Sequence, residues 1–127
     1  MKHFKLGDYA AALASADSAV ARSDKIPAGF RCRGIVHAKR NELDAALADL
    51  TVALQLDPNH PQTRFNRALA LVKLGRLDEA FEDASEAIRQ SPRYGAAFSL
   101  RSKISRALQR FEDADRDEQI ARDLDAK

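Results

Sequence analysis

A repeat of about 34 residues is the feature of this sequence that most restricts its fold. Pro27 and Pro61 are one such interval apart, and so are Pro58 and Pro92. The first pair suits the opening turn of a helix, where the missing backbone N–H has no partner to lose, and the second pair suits the position just after a helix end. Asn41 lies midway as a turn residue. The sequence therefore predicts successive repeats of two helices each.

Three columns of similar residues keep the same phase as the prolines. Counted from Pro27, Pro61 and Gly95, the twentieth and twenty-seventh residues of each repeat are alanine, and the seventeenth is large and apolar. The columns are Ala12, Ala46, Ala80 and Ala114; Ala19, Ala53, Ala87 and Ala121; and Tyr9, Leu43, Leu77 and Phe111. Small residues let two helices approach closely, and we expect the large residue to fill the turn. Helix-favouring residues dominate throughout, which predicts an all-α chain.

The period, the paired helices and the small residues at the crossings resemble the tetratricopeptide repeat family. The family signature runs Trp-x2-Leu-Gly-x2-Tyr, then Ala, Phe and Pro, and the first complete repeat places these residues there: Phe30, Arg33, Gly34, His37, Ala46, Leu50 and Pro58. The resemblance implies a right-handed superhelical α-solenoid of antiparallel helix pairs. A related RNA-binding helical repeat, whose period is one residue longer, fits less well, because it would drift out of phase with the alanines.

We predict one domain over residues 1–127, with a partial first repeat at 1–26, complete repeats at 27–60 and 61–94, and a final repeat at 95–127 whose last helix caps the solenoid. Counting back from Pro27 places Met1 at the ninth position, so the first helix of the first repeat is cut short. Its apolar residues Phe4 and Leu6 would leave the next helix (Tyr9 to Val20) partly uncovered. We expect this end to be the adhesive one, for self-association or for a preceding segment.

Two charged columns depart from the resembled family. The seventh residue of each complete repeat is arginine where the family has leucine, and the twenty-third is aspartate; they are Arg33, Arg67 and Arg101, and Asp49, Asp83 and Asp117. Both columns lie eight residues from the turn, so they sit at similar height in an antiparallel pair. We predict an Arg–Asp ion pair inside each repeat, partly shielded by the neighbouring repeat.

Catalytic, metal and cofactor chemistry find no support in the sequence. His3, His37 and His60 are far apart, and none forms an i, i+4 metal pair with a second ligand. Cys32 has no indicated base. Gly7 and Gly75 stand singly at expected turns, so no phosphate-binding loop is present. We predict a protein that is not an enzyme and has no cofactor.

Charge is segregated between alternate helices. The stretches 27–40, 61–74 and 95–108 hold 10 basic residues and no acidic ones, whereas 41–58, 75–92 and 109–127 hold 16 acidic and 6 basic residues. In the resembled fold the first helices line a concave groove, which would then be positive and would favour an acidic partner. Pairing between adjacent helices explains the Arg–Asp columns but leaves other basic residues over; they are Arg31, Lys39, Lys73, Lys103 and Arg106.

The predicted function is a protein–protein interaction scaffold that binds an acidic and apolar peptide segment. The predicted peptide groove consists of Arg31, Ile35, Lys39, Phe65, Asn66, Leu69, Lys73, Ser99, Lys103 and Arg106. Some members of the resembled family hold a partner's terminal carboxylate, and the matching positions here are Arg31, Ile35, Asn66, Ala96 and Leu100. Only two of these five suit that role, so a carboxylate clamp is disfavoured.

Two other functions stay open at this point. The basic groove could bind single-stranded nucleic acid, although Phe65 alone is well placed for base stacking. The truncated N-terminal end could instead serve as a dimerisation or assembly arm.

Asp8 and Asp17 interrupt the apolar stretch that a signal peptide or membrane span needs. With a single cysteine, which excludes an internal disulfide, we expect a cytoplasmic location.

Overall fold

The computed structural model describes residues 6–22 and 25–126, with side chains described from Tyr9 onward. Seven helices account for nearly all of this part, and it contains no strand. They are α1 (Leu6–Arg22), α2 (Pro27–Lys39), α3 (Leu43–Leu56), α4 (Pro61–Lys73), α5 (Leu77–Gln90), α6 (Gly95–Ala107) and α7 (Phe111–Asp125). None of these helices is long and apolar enough to span a membrane.

The helix boundaries predicted from the prolines are confirmed. Pro27 and Pro61 open α2 and α4, and Pro58 and Pro92 follow the ends of α3 and α5. The hairpin turns contain Asn41 (φ 61°), Gly75 (φ 77°) and Gln109 (φ 64°), all in the left-handed region. Such a residue reverses the chain tightly after a helix, at some strain when it is not glycine. Gly7, expected at a turn, instead lies inside α1.

The helices form two compact units, one made by α1 to α3 and the other by α4 to α7. In the N-terminal unit, α2 packs on both α1 and α3. Ala46 and Leu50 of α3 are fully buried, and Ala53 nearly so. A Cβ atom on Gly34 would lie only 2.9 Å from Leu50 Cγ, so this glycine allows α2 and α3 to approach closely. The side chains of Phe4 and Leu6, on which the predicted N-terminal adhesion rests, lie outside the described residues.

In the C-terminal unit each helix packs on the next, and α4 also contacts α6. The alanine columns form its core, since Ala80, Ala87 and Ala114 are fully buried. The prediction that the large residue of each repeat fills a turn is wrong for Phe111, which is 56% exposed. Among the described helices α7 contacts only α6, so no other described helix covers the outer side of its first turn.

Candidate protein-binding surfaces

The arginine and aspartate columns form one bidentate ion pair in each complete repeat, which we call the Arg–Asp clasp. Arg33 donates from Nε and Nη2 to the two carboxylate oxygens of Asp49, both at 2.8 Å. The corresponding distances are 2.6 and 2.7 Å from Arg67 to Asp83. They are 2.7 and 2.9 Å from Arg101 to Asp117. The predicted intra-repeat pairing is confirmed in all three repeats.

The clasp carboxylates are buried, because Asp49, Asp83 and Asp117 are only 7%, 4% and 3% exposed. A buried carboxylate is tolerated when it is paired and hydrogen-bonded, and two parallel N–H···O bonds satisfy both of its oxygens. The hydrogen bond to Asp83 raises the pKa of Arg67 above its ordinary value. These six side chains are therefore committed to holding α2 to α3, α4 to α5 and α6 to α7.

Two of the clasp arginines also donate a hydrogen bond to the preceding repeat, a contact that was not predicted from the sequence. Arg33 donates from Nη1 to Asp17 of α1 at 3.1 Å. Arg101 donates from Nη1 to Ser85 of α5 at 3.2 Å. Asp17 and Ser85 occupy the same position of their respective repeats, 16 residues before each arginine. Comparing residues between repeats, as well as within one, would have revealed this contact.

Three of the basic residues that were predicted to remain unpaired lie in the C-terminal unit, and they are of two kinds. Lys73 of α4 and Lys103 of α6 are exposed and have no ion pair within the described part of the chain. Arg106 is also exposed but bonds to Asp115 of α7 at 2.8 Å and to Glu118. The expectation that helix pairing leaves Arg106 over is therefore wrong. The pKa of Glu118 is lowered by hydrogen bonds from Arg122 first and then Arg106.

Helix α4 also carries exposed apolar surface. Leu69 is 36% exposed, which is high for a large apolar side chain. Phe65, one turn earlier, is half-buried, and its ring centroid lies 5.3 Å from that of Tyr94 at the start of α6. Burial raises the pKa of Tyr94 above its ordinary value. Since α4 and α6 contact each other, this unit combines an apolar α4 surface with unpaired ammonium groups on both helices.

The other predicted groove residues lie where the helix pattern places them. Asn66 is half-buried on α4, and Ser99 is exposed on α6. In the N-terminal unit, Arg31 is half-buried and Lys39 exposed on α2, and neither has an ion pair within the described residues. All ten predicted groove residues are therefore on α2, α4 and α6, which carry no acidic side chain.

Ile35 of α2, a predicted groove residue, lies in an environment that the sequence did not predict. It lines an apolar cavity of about 490 Å³ between α1 and α2. The walls consist of small and apolar side chains with almost no polar surface; they are Ala12, Ser15, Ala16, Ala19, Ala28, Gly29, Cys32, Ile35 and Val36. The only signal in the sequence was that the helix after Tyr9 would be partly uncovered.

The described histidines have structural partners. His37 Nδ1 lies 3.0 Å from a Glu42 carboxylate oxygen, across the turn that follows α2. This hydrogen bond lowers the pKa of Glu42. His60 precedes α4, and its Nδ1 accepts a hydrogen bond from the Thr63 backbone N–H at 3.2 Å. It thus supplies the N-cap of α4, a role normally taken by Ser, Thr, Asp or Asn. No group of three His, Cys, Asp or Glu in the described part of the chain could hold a metal ion.

Comparison with known proteins agrees with this geometry. Models of the tetratricopeptide repeat family match residues 34–126 and 2–61. Among solved structures, a crystal structure of MamA is 17% identical, with a TM-score of 0.89 over 95% of this chain and 71% of that chain. The first tetratricopeptide domain of Spaghetti (RPAP3), bound to the HSP90 peptide SRMEEVD, is 27% identical, with a TM-score of 0.77 over 80% of each chain.

A third similar structure is the tetratricopeptide domain of Arabidopsis OM64, at 22% identity and a TM-score of 0.76 over 77% of this chain and 81% of that chain. No curated protein sequence matches the chain. The structural neighbours confirm the predicted all-α helical-repeat solenoid.

Proposed function

The chain belongs to the tetratricopeptide repeat family, and we propose that it is a non-enzymatic scaffold that binds an acidic and apolar peptide segment through α4 and α6, the first helices of the repeats in its C-terminal unit. A fold of this family supports a protein–protein interaction role. The finer proposal concerns which residues bind and what the partner looks like. The observation that carries it is the exposed Leu69 one turn before the exposed Lys73 on α4, with the exposed Lys103 on the contacting helix α6.

Charge supports an acidic partner. The ammonium groups of Lys73 and Lys103 have no ion pair within the described residues, so binding a carboxylate there breaks no existing bond. Arg31 and Lys39 provide the same chemistry on α2. Unpaired rim charges of one sign accelerate the association of an oppositely charged partner and exclude partners of like charge. Arg106 contributes less, because Asp115 and Glu118 already neutralise it.

Apolar surface supports a partner with hydrophobic anchors. Leu69 offers exposed methyl groups, and the exposed part of Phe65 continues this surface one turn away. Burying such groups supplies most of the affinity of a short peptide, and charge then sets its orientation. Nucleic-acid binding gains no comparable support, because the ring of Phe65 packs against Tyr94.

The peptide bound to a structural neighbour supports a ligand of this kind. The peptide bound to the first Spaghetti (RPAP3) domain, SRMEEVD, contains two glutamates, one aspartate, and the apolar residues methionine and valine. In the present chain, Ile35, Ala96 and Leu100 occupy three of the five carboxylate-clamp positions. We therefore propose recognition of acidic side chains rather than of a chain terminus.

The test uses SRMEEVD itself, labelled at its N-terminus, as the free acid and as the C-terminal amide. Fluorescence anisotropy should show binding of both forms with similar affinity, and weaker binding at higher salt. The variant Lys73→Glu/Lys103→Glu should bind about tenfold or more weakly, because two attractions become repulsions.

The matched control, Arg116→Glu/Arg122→Glu, makes the same change in net charge on α7 and should bind like the wild type. Circular dichroism would verify that both variants keep their helix content. Equal weakening by both variants would show that only net charge matters. Binding that disappears on amidation would contradict recognition through side chains.

A further inference from the structure

The apolar cavity between α1 and α2 is a second candidate surface, separate from the lysine-bearing one. Its volume is about 490 Å³, and none of its lining residues is charged. Ala16 forms its buried floor on α1, Ala12 and Ala19 lie beside it, and Gly29 of α2 is buried opposite. A Cβ atom on Gly29 would lie 3.3 Å from Val20, so the two helices already touch at this end and the opening lies beyond their contact.

The repeats themselves indicate what fits such a surface. Ala12, Ala16 and Ala19 have exact counterparts on α5, two repeats later, and these are Ala80, Ala84 and Ala87. The three counterparts are fully buried. In the intervening repeat, the residues at the first two of these positions, Ala46 and Leu50, lie against Gly34 of α2, the first helix of the same repeat. By this correspondence, Ala12 and Ala16 present on α1 the surface with which a second helix holds the first helix of its own repeat.

Among the α1 residues that line the cavity, only Ser15 differs from its counterpart on α5, and this difference bears on the charge of the occupant. Where α5 has Asp83, α1 has Ser15. Asp83 receives the guanidinium of Arg67 from α4 at 2.6 Å. A helix that presented an arginine to α1 at this position would bury a positive charge against a neutral hydroxyl. An uncompensated buried charge is strongly unfavourable, whereas an apolar side chain at the same place is not.

We propose that the cavity between α1 and α2 binds an apolar helix of a partner protein, similar in packing to α4 but with an uncharged residue at the position of Arg67. The occupant is not the corresponding helix of a second copy. The first helices of all complete repeats carry arginine at this position and use it in a clasp.

The experiment uses the α4 sequence as its probe. Two labelled peptides of residues 61–74 are compared, one natural and one with Arg67→Leu, against the wild-type chain and against Ser15→Asp. Isolated helices of this length are marginal, and both peptides lose the same ordering entropy on binding, so the ratio of their affinities is informative. Ser15 is exposed, so the substitution should leave the fold intact, as circular dichroism would verify.

The wild-type chain should bind the Arg67→Leu peptide roughly tenfold or more tightly than the natural peptide, and Ser15→Asp should reverse the order by recreating the clasp. Non-specific adsorption of the more apolar peptide would not reverse, which makes the exchange of preference diagnostic. The single cysteine, Cys32, lines the cavity and is exposed, so bound Arg67→Leu peptide should also slow its reaction with a thiol reagent.

A Lys73→Glu/Lys103→Glu variant should bind the Arg67→Leu peptide normally, which separates this proposal from peptide binding at those two lysines. The proposal is overturned if the wild-type chain binds neither peptide, if Ser15→Asp leaves the preference unchanged, or if Cys32 stays fully reactive in the complex. Sedimentation showing a dimer that Ser15→Asp dissociates would also overturn it, in favour of a second copy as the occupant.

Discussion

The contact of Gly34 with Leu50 allows the sign of a mutational effect to be derived from the structure. Gly34→Ala would place a methyl group 2.9 Å from Leu50 Cγ and 3.0 Å from its Cδ2. Leu50 is fully buried, so its side chain cannot relieve the contact by moving out into solvent. Overpacking of this kind costs about 1–3 kcal/mol. Alanine recovers about 0.5–1 kcal/mol through its higher helix propensity. The expected net loss of stability is about 0–2.5 kcal/mol, centred near 1 kcal/mol.

The same substitution should be stabilising once Leu50 is truncated. Leu50→Ala alone leaves a cavity and should cost about 2–5 kcal/mol. In that background the new methyl group of Gly34→Ala enters empty space and buries about one CH₂ equivalent, worth about 0.8 kcal/mol. Helix propensity adds about 0.5–1 kcal/mol. The double variant should therefore be about 1–2 kcal/mol more stable than Leu50→Ala, and the sequence already contains this solution as Ala68 and Ala84, at the same positions one repeat later.

Urea unfolding followed by circular dichroism at 222 nm would measure the four free energies of the cycle. Gly95→Ala is the matched control, because a methyl group there meets only Leu124 Cβ, at 3.9 Å. We expect that control to lie within about 0.5 kcal/mol of the wild type. Additive effects in the double variant, or a Gly34→Ala protein more stable than the wild type, would refute the steric argument.

Three other side chains allow predictions from their described contacts. Asp83→Ala should cost about 3 kcal/mol or more, because it leaves Arg67 half-buried without its carboxylate; urea unfolding measures this, and a loss below about 1 kcal/mol would contradict it. In a Tyr9→Phe protein, absorbance at 295 nm should show Tyr94 ionising above its ordinary pKa of 10.0. Burial favours the neutral phenol, so the stability that this contributes is fully present below pH about 10 and is lost as pH rises through the raised value; an ordinary midpoint would refute the burial argument. Phe111→Ser should change the free energy of unfolding by less than about 0.5 kcal/mol because the ring is exposed, and a larger loss would show that the ring is covered in solution.

Much of the fold could be predicted because the same physical demand recurs in every repeat. Two helices can cross closely only where side chains are small, so alanine returns at Ala46, Ala80 and Ala114. A partly buried arginine is favoured by a carboxylate at the same height, so the clasp could be inferred from the spacing of both residues from the turn. Periodicity of this kind allows the fold and the contacts within a repeat to be predicted from the sequence.

Features that occur in one repeat only could not be predicted in that way. Arg106 pairs with Asp115, but the corresponding residues of the preceding repeat, Val72 and Phe81, are apolar, so no column signals the contact. Phe111 continues the column of Leu43 and Leu77 yet is exposed, because exposure depends on what packs outside a helix rather than on its own sequence. For the candidate binding site, the sequence placed the groove residues on helices but could not distinguish lysines without partners from an arginine already neutralised.

The clasps also have a consequence for the folding of the chain. The bonds from Arg33 to Asp49 and to Asp17 each close a loop of 16 residues, one forward and one backward along the chain. The bonds from Arg101 to Asp117 and Ser85 span the same distance. Polar ties this short require little loop-closure entropy, and topologies rich in local contacts fold rapidly. A hairpin formed by α2 and α3, or by α6 and α7, thus holds a guanidinium whose remaining N–H is directed at the preceding helix, and this bond favours the docking of that helix.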